Sequence, residues 1–313
     1  MVLSMKKILV TGANGFVGQH LVKELADNGM EVVGIGGQIG STSKSPYVSE
    51  YMVIDLNDLE EVKKIDFRDI DGVIHLAGLA AVGPSFDKPM EYINANIGIQ
   101  TNMFEVALEQ DAKPKFLIIS SGSLYDPRAP LPLTEESKVI PSSPYAVSKI
   151  GQEQMAGYYV GRGFSCIIAR PFNHIGPGQN PGFLVPDVAQ QIIACEKSEA
   201  NSVLVGNLDA KRDYTDVRDI ARAYRLLLEK GVAGETYNIC SGKAVSGHDV
   251  VAGLLSAASS EIQTTQDPER MRPSDTPEVY GDNHKSTEAT GWHPSIPLDQ
   301  TLVDVIADWR SRA

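Results

Sequence analysis

The stretch Lys7-Ile-Leu-Val-Thr-Gly-Ala-Asn-Gly-Phe-Val-Gly18 decides how this chain folds. Ile8 to Thr11 are β-type residues, and they run into three glycines, Gly12, Gly15 and Gly18, with two residues between each and the next. Val17, Leu21 and Leu25 then recur at i, i+4 and i+8 with Val22 beside them, which is helical spacing. A strand, a glycine turn and a helix start make an anion site. Glycine lets the backbone close on a diphosphate, and the unpaired N–H groups and dipole of the helix favour negative charge there. The spacing departs from the G-x-G-x-x-G dinucleotide fingerprint by one extra residue between the first two glycines. Nucleotide binding is nevertheless the expectation, because the glycines sit between a clear strand and a clear helix.

Outward from this stretch, the first 170 residues keep alternating. Strand-like runs at Lys7–Thr11, Glu31–Ile35, Tyr51–Ile54, Gly72–His75, Lys115–Ser120 and Ser165–Ala169 are separated by helical patterns, including Asn94–Glu109 and Tyr145–Arg162. Such alternation predicts βαβ units, a doubly wound parallel sheet of α/β class, and function at the strand C-termini. After Arg170, Pro171, Gly176-Pro177-Gly178, Pro181-Gly182 and Pro186 break the rhythm. Thr236–Cys240 reads as one more buried strand, residues 268–297 are again proline-rich and polar, and Leu298–Trp309 reads as a closing helix. The predicted organisation is a nucleotide-binding domain over 1–170 with returns around 215–242, a smaller lobe from 171–214 and 243–297, and a helix over 298–313.

Composition narrows the partners. A net charge of −12 argues against nucleic acid or an anionic membrane surface, and it requires local arginines if the ligand is a polyanion. No apolar run approaches the roughly 18 residues of a membrane span. The opening Met-Val-Leu-Ser-Met-Lys-Lys is too short for a signal peptide, and Met5 is an alternative start. Cys166, Cys195 and Cys240 are odd in number and lack metal spacing, so no metal site is expected. Cys166 and Cys240 read as buried thiols in a reducing cytoplasm.

Tyr145-Ala-Val-Ser-Lys149 is the second chemical signal. Residues four apart share a helix face, so phenol and ammonium can meet one ligand. A neighbouring cation is expected to lower the tyrosine's pKa and make it a proton donor or acceptor near neutrality. Ile118-Ile119-Ser120-Ser121 places hydroxyls at a strand C-terminus where that tyrosine can reach them. His75 reads as structural, and Tyr158-Tyr159 as packing on a helix surface.

With these residues in hand, the chain resembles the extended short-chain dehydrogenase/reductase family of nucleotide-sugar epimerases, dehydratases and reductases. The likeness runs through Thr11–Gly18, His75-Leu-Ala-Gly78, Ser120-Ser121, the Tyr145/Lys149 pair and Arg170-Pro-Phe-Asn173. The resemblance implies a Rossmann-type fold with a smaller C-terminal substrate lobe, and a homodimer built on the tyrosine helix. It implies Tyr145 as acid/base, Lys149 on the nicotinamide ribose, and Ser121, four residues before Tyr125, on the reacting oxygen. Coenzyme contacts would come from Gly12, Asn14, Gly15, Phe16, Val17, Gly18, Asp55, Leu56, Leu76, Ala77 and Gly78, with Asp55 holding the adenine. Asn96 is similar to the first residue of the family's N-V-x-G-T segment, although Ile99 and Gln100 depart from its Gly-Thr.

Arg170–Gln179, Val205–Tyr214 and Arg270-Met-Arg-Pro-Ser-Asp275 resemble the branch that handles GDP-mannose and GDP-4-keto-6-deoxy-D-mannose. By that likeness Arg212 and Arg272 grip the diphosphate, for which a guanidinium's planar fork is suited. The blander alternative is surface ion pairs with Asp213, Asp216 or Asp275. Asn173, a contact to the sugar diphosphate, and Ser123 complete the substrate candidates, and His174 belongs to the same motif. Dehydratases of this branch carry Glu where this chain has Ser123. A serine hydroxyl is a poor acid for expelling water, so the resemblance implies a reductase acting on C4 of a GDP-4-keto-6-deoxy-hexose, giving GDP-D-rhamnose or GDP-6-deoxy-D-talose. The alternatives are a 4,6-dehydratase, a C4 epimerase, or a dinucleotide sensor without catalysis. The second strand ends Val33-Gly-Ile-Gly-Gly-Gln38 without a carboxylate to repel a 2′-phosphate, which favours NADPH, with Ser41 to Lys44 as its contacts and NADH possible.

Overall fold

Ile8, Leu9 and Val10 are apolar in succession because both faces of their strand are covered, the condition for a parallel sheet between helical layers. Leu9 joins Ile35, Val73 and Ile118 on one face, while Ile8 and Val10 join Ile74, Leu117 and Ile167 on the other. The structure is a computed structural model, and it describes residues 5–37, 45–198, 201–271 and 276–313.

The first six strands are β1 (Lys7–Thr11), β2 (Glu31–Gly36), β3 (Glu50–Val53), β4 (Gly72–His75), β5 (Lys115–Ile119) and β6 (Ser165–Pro171). They are followed by β7 (Asn173–Ile175), β8 (Ser202–Val205), β9 (Lys211–Asp216), β10 (Thr236–Ile239), β11 (Ala244–Ser246), β12 (Gln263–Gln266) and β13 (Glu278–Val279). Seven of them form one sheet in the order β3-β2-β1-β4-β5-β6-β10, every pair parallel. The expected Rossmann-type architecture is present. Strand order reverses between β1 and β4, and such a switch point opens a crevice beyond the strand C-termini.

Helix Phe16–Asp27 packs Leu21, Val22 and Leu25 against Ile220, Tyr224 and Leu227 of helix Val217–Lys230 on one face of the sheet. On the other face, helices Ile99–Glu109 and Pro144–Gly161 bury Met103, Phe104, Ala156 and Tyr159. Tyr159 corrects the surface reading: it is 1% exposed and stacks on Phe104, with ring centroids 4.2 Å apart, whereas Tyr158 is 55% exposed. Adjacent residues on a helix point about 100° apart, so one can enter the core while its neighbour faces water.

The second layer is built around β9, which pairs β11, β13 and β7. Helix Leu298–Arg312 closes over a separate core, placing Leu302, Val305 and Ile306 among Val185, Ile192, Val203 and Val250. Cys166, Cys195 and Cys240 are free and buried. Among the described residues no helix is long and apolar enough to cross a membrane, and no cluster of three or more His, Cys, Asp or Glu could hold a metal ion.

Candidate active site

β1 delivers its chain into the glycine turn at the switch point. Gly12 takes φ +68°, a left-handed conformation that favours glycine. Gly18 packs so closely that a Cβ there would lie 2.2 Å from the Gly12 carbonyl oxygen. The helix starts at Gly15 with no side-chain cap, so its first N–H groups are left for another acceptor. An uncapped helix start at a sheet crevice fits a dinucleotide diphosphate. The turn is also braced. Thr11 Oγ1 lies 2.9 Å from His75 Nδ1 and accepts from the Ala77 amide at 3.0 Å, tying the glycine turn to the Leu76–Gly78 loop. His75 is buried and burial drives its pKa down to about 3, so it is a neutral structural group, as expected.

The other coenzyme candidates line the same edge. The Asn14 amide donates to the Tyr51 hydroxyl at 2.7 Å. Phe16 and Val17 are half-buried, and the Phe16 ring lies parallel to that of His174, with centroids 6.1 Å apart. Asp55 is exposed and accepts from the Asn57 backbone and side-chain amides, while Leu56 is buried beside it. Leu76 and Ala77 are half-buried, and Gly78 and Leu79 border a groove of about 430 Å³ with Asn57, Asn94 and Ile99. Asn96 is fully buried: its side chain accepts from the Leu79 amide and donates to Ser148 Oγ at 2.8 Å. It sits in a π-helical turn, Asn94–Gly98, inside the helix expected there. Residues Gln38 and Ser41 to Lys44 lie outside the described residues.

Helix Pro144–Gly161 begins with Ser143 capping the Ala146 amide, which puts Tyr145 in its first turn. Tyr145 is 6% exposed and packs edge-on against Tyr92, whose hydroxyl donates to the Ala81 carbonyl at 2.6 Å. Lys149 Nζ donates to the Ile119 carbonyl at 2.8 Å and lies 6.0 Å from the Tyr145 ring centre. Spacing alone predicts a lowered tyrosine pKa; the structure gives the opposite direction. Burial raises it, and Ser121's hydroxyl, within hydrogen-bonding reach, works only partly against that. Desolvation penalises the phenolate and decides the direction of the shift. Burial likewise lowers Lys149 to about 8, with Glu153 pushing it up.

Ser121 begins the turn Gly122–Leu124 after β5, with its Oγ 2.8 Å from Ser123 Oγ. Ser121, Ser123, Tyr145 and Lys149 are therefore gathered beyond one sheet edge. Asn173 is exposed at the start of β7. Arg212, on β9, donates through Nη1 to the Lys211 and Thr276 carbonyls at 2.8 and 2.7 Å. Asp216 pairs with Arg218 instead, and Asp213 is enclosed by the Ser241, Gly242 and Gly281 amides. Arg272 and Asp275 lie outside the described residues. Sequence reasoning passed over Glu153, which follows Lys149 by four residues, the same spacing that flagged Lys149.

The sequence profile of the NAD dependent epimerase/dehydratase family matches residues 8–240. The chain is 34% identical to GDP-6-deoxy-D-mannose reductase of Pseudomonas aeruginosa over 98% of both chains. It is 27% identical to UDP-glucose 4-epimerase of Pisum sativum, over 97% of this chain and 95% of that one. Among solved structures, RMD from Pseudomonas aeruginosa complexed with NADPH superposes with a TM-score of 0.85 at 33% identity, covering 98% of this chain and all of the other.

Proposed function

The chain belongs to the NAD dependent epimerase/dehydratase family, and from that premise we propose that it is an NADPH-dependent reductase of the C4 keto group of a GDP-4-keto-6-deoxy-hexose. The product is GDP-D-rhamnose or GDP-6-deoxy-D-talose. One observation carries the reading: Ser121 and Tyr145 converge beside a serine, Ser123, where elimination of water would need an acid. The likeness to a GDP-6-deoxy-D-mannose reductase over nearly the whole chain supports it.

In this reading the N–H groups that open the Phe16–Asp27 helix hold the coenzyme diphosphate, Asp55 the adenine, and Leu76 to Gly78 the coenzyme's flank. When bound, NADPH supplies the hydride. Tyr145 gives its proton to the C4 oxygen, and Ser121 donates a hydrogen bond to the same oxygen, lowering the cost of the charge that develops there. A raised Tyr145 pKa suits this direction of reaction, since the phenol is protonated and ready to donate at neutral pH. Lys149 stands one turn away to stabilise the phenolate that remains until solvent returns the proton. Residues 171–214 and 243–297 form the sugar-nucleotide lobe, with Asn173, Arg212 and Arg272 on the diphosphate, fixing C4 in place. The exposed outer face of the tyrosine helix, including Val147 and Tyr158, is the surface through which we infer that two copies pair.

The test mixes protein, NADPH and GDP-4-keto-6-deoxy-mannose. Nicotinamide absorbance is expected to fall, and NMR of the sugar then identifies the C4 configuration. Unchanged absorbance with both NADPH and NADH removes the reductase reading. The likeness to UDP-glucose 4-epimerase keeps a C4 epimerase as the second reading; such a protein would purify with tightly held oxidised coenzyme and need no added reductant.

A further inference from the structure

Behind Tyr145 and Lys149 lies a buried ion pair that the proposed chemistry does not use. Glu153 sits one turn beyond Lys149 on the same helix. Its Oε1 accepts from Arg170 Nε at 2.8 Å and from Ser120 Oγ at 2.5 Å, and its Oε2 accepts from Arg170 Nη2 at 2.7 Å. Both charged side chains are 9% exposed. Arg170 Nη1 donates onward to the Tyr125 hydroxyl at 3.0 Å, and that hydroxyl donates to Asn238 Oδ1 at 2.6 Å. The network therefore joins β5, the tyrosine helix, β6 and β10.

Stability alone gives little reason to bury such a pair, because desolvation consumes most of the attraction and apolar replacements are often neutral or better. Its position gives two other reasons. Ser120 is bonded directly to Ser121, so a carboxylate gripping the Ser120 hydroxyl also fixes the strand end that aims Ser121. Residues four apart on a helix are neighbours, so Glu153 brings a negative charge beside the Lys149 ammonium. Arg170, held on both carboxylate oxygens, keeps Glu153 in one orientation.

We propose that Glu153 is a positioning residue for the reaction, its buried carboxylate holding Ser120, and through it Ser121, while its charge keeps Lys149 an ammonium. This rests on the roles given to Tyr145, Ser121 and Lys149 under the proposed function. Among the described residues, the groups that face Lys149 are few. Tyr145 and Glu153 come from its own helix, with Tyr92 packed on Tyr145 and His75 on β4 close enough to act on Lys149 electrostatically. His75 is neutral, and Arg170 on β6 acts through Glu153. Burial already pulls Lys149 down to about 8, with Glu153 opposing it. Loss of the carboxylate charge would thus bring the ammonium's midpoint into the working range.

The test follows Lys149 directly. Protein carrying 13C at lysine Cε is titrated without coenzyme or substrate, the Lys149 resonance being identified by its loss in Lys149→Met. In Glu153→Gln the amide keeps the shape and loses the charge, and the Lys149 midpoint is expected to fall by about one pH unit or more. The high-pH limb of turnover should move down with it. Ser120→Ala keeps both charges; its Lys149 midpoint is expected to stay in place while kcat falls. Glu153→Gln/Arg170→Gln removes both charges without stranding the guanidinium, covering the case in which the single variant fails to fold, and its midpoint should fall by less. An unmoved Lys149 midpoint in the glutamine variants overturns the proposal whatever turnover does. A midpoint that falls as expected supports it, even where no variant or parent reduces the GDP-sugar, a result that would instead remove the substrate reading.

Discussion

Ser121 and Ser123 share a hydrogen bond, Oγ to Oγ at 2.8 Å, at the turn where β5 ends. Two hydroxyls there can relay and accept protons, but neither is an acid of the strength that elimination needs. Ser121, nearer Tyr145, is expected to matter more. Ser121→Ala should lower kcat by about 10²-fold or more, whereas Ser123→Ala should lower it far less, measured by NADPH consumption at saturating sugar nucleotide. Equal losses would show that the pair acts as one unit.

Tyr145→Phe keeps the ring against Tyr92 and removes the hydroxyl that carries the proton. Turnover should fall by at least about 10²-fold. NADPH affinity, read from the quenching of protein fluorescence, should hold. Substantial activity in this variant would take Tyr145 out of the mechanism.

Lys149 also makes a pH-dependent statement about stability. Its folded pKa, about 8, lies below the ordinary lysine value of 10.5, so between these values the unfolded chain binds more protons than the folded one. Stability contributed by this site therefore rises as pH climbs from about 8 towards 10.5, and the buried charge is a cost below that window. Thermal melts of the parent should gain on those of Lys149→Met as pH rises from 7 to 10. A constant difference would mean that Lys149 titrates normally.

Gly18 tests the glycine turn. A methyl group there would lie 2.2 Å from the Gly12 carbonyl and 2.7 Å from that of Ala13, both backbone atoms that cannot swing away. Gly18→Ala should cost about 1–3 kcal/mol in denaturant unfolding and weaken NADPH binding by displacing the helix start. A fully stable, tightly binding variant would contradict the packing described.

Asp213 tests the lobe. Its carboxylate accepts from the Ser241 amide and hydroxyl at 2.7 Å each and from the Gly242 amide at 2.9 Å, with the Gly281 amide at 3.3 Å. Asp213→Asn turns one acceptor edge into a donor facing other donors. KM for the sugar nucleotide is expected to rise as neighbouring Arg212 shifts, with NADPH affinity retained, a split that steady-state kinetics would resolve.

The large sheet is readable in the sequence because strands covered on both faces are continuous apolar runs, as in Ile8–Val10 and Phe116–Ile118. The second sheet is not. In it Asn173–Ile175 and Ala244–Ser246 span three residues each and Glu278–Val279 two, so periodicity has nothing to register. Those strands are placed by their partners and by the Asp213 carboxylate. In the site, Tyr145 and Lys149 are visible through helical spacing. The direction of the tyrosine's pKa is not, because spacing reports neighbours and is silent on burial. Glu153 and Arg170 belong to a helix and a strand whose meeting depends on the tertiary fold.

The junction at Asp213 also has a temporal side. Its ring of donors closes only when Gly281 arrives, and β9 has partners on three segments, from Asn173 to Val279. Chains leave the ribosome N-terminus first. The first six strands of the large sheet are all translated before that carboxylate exists. A nascent polypeptide halted before Gly281 should therefore be able to take up dinucleotide while still lacking a finished receptacle for the sugar.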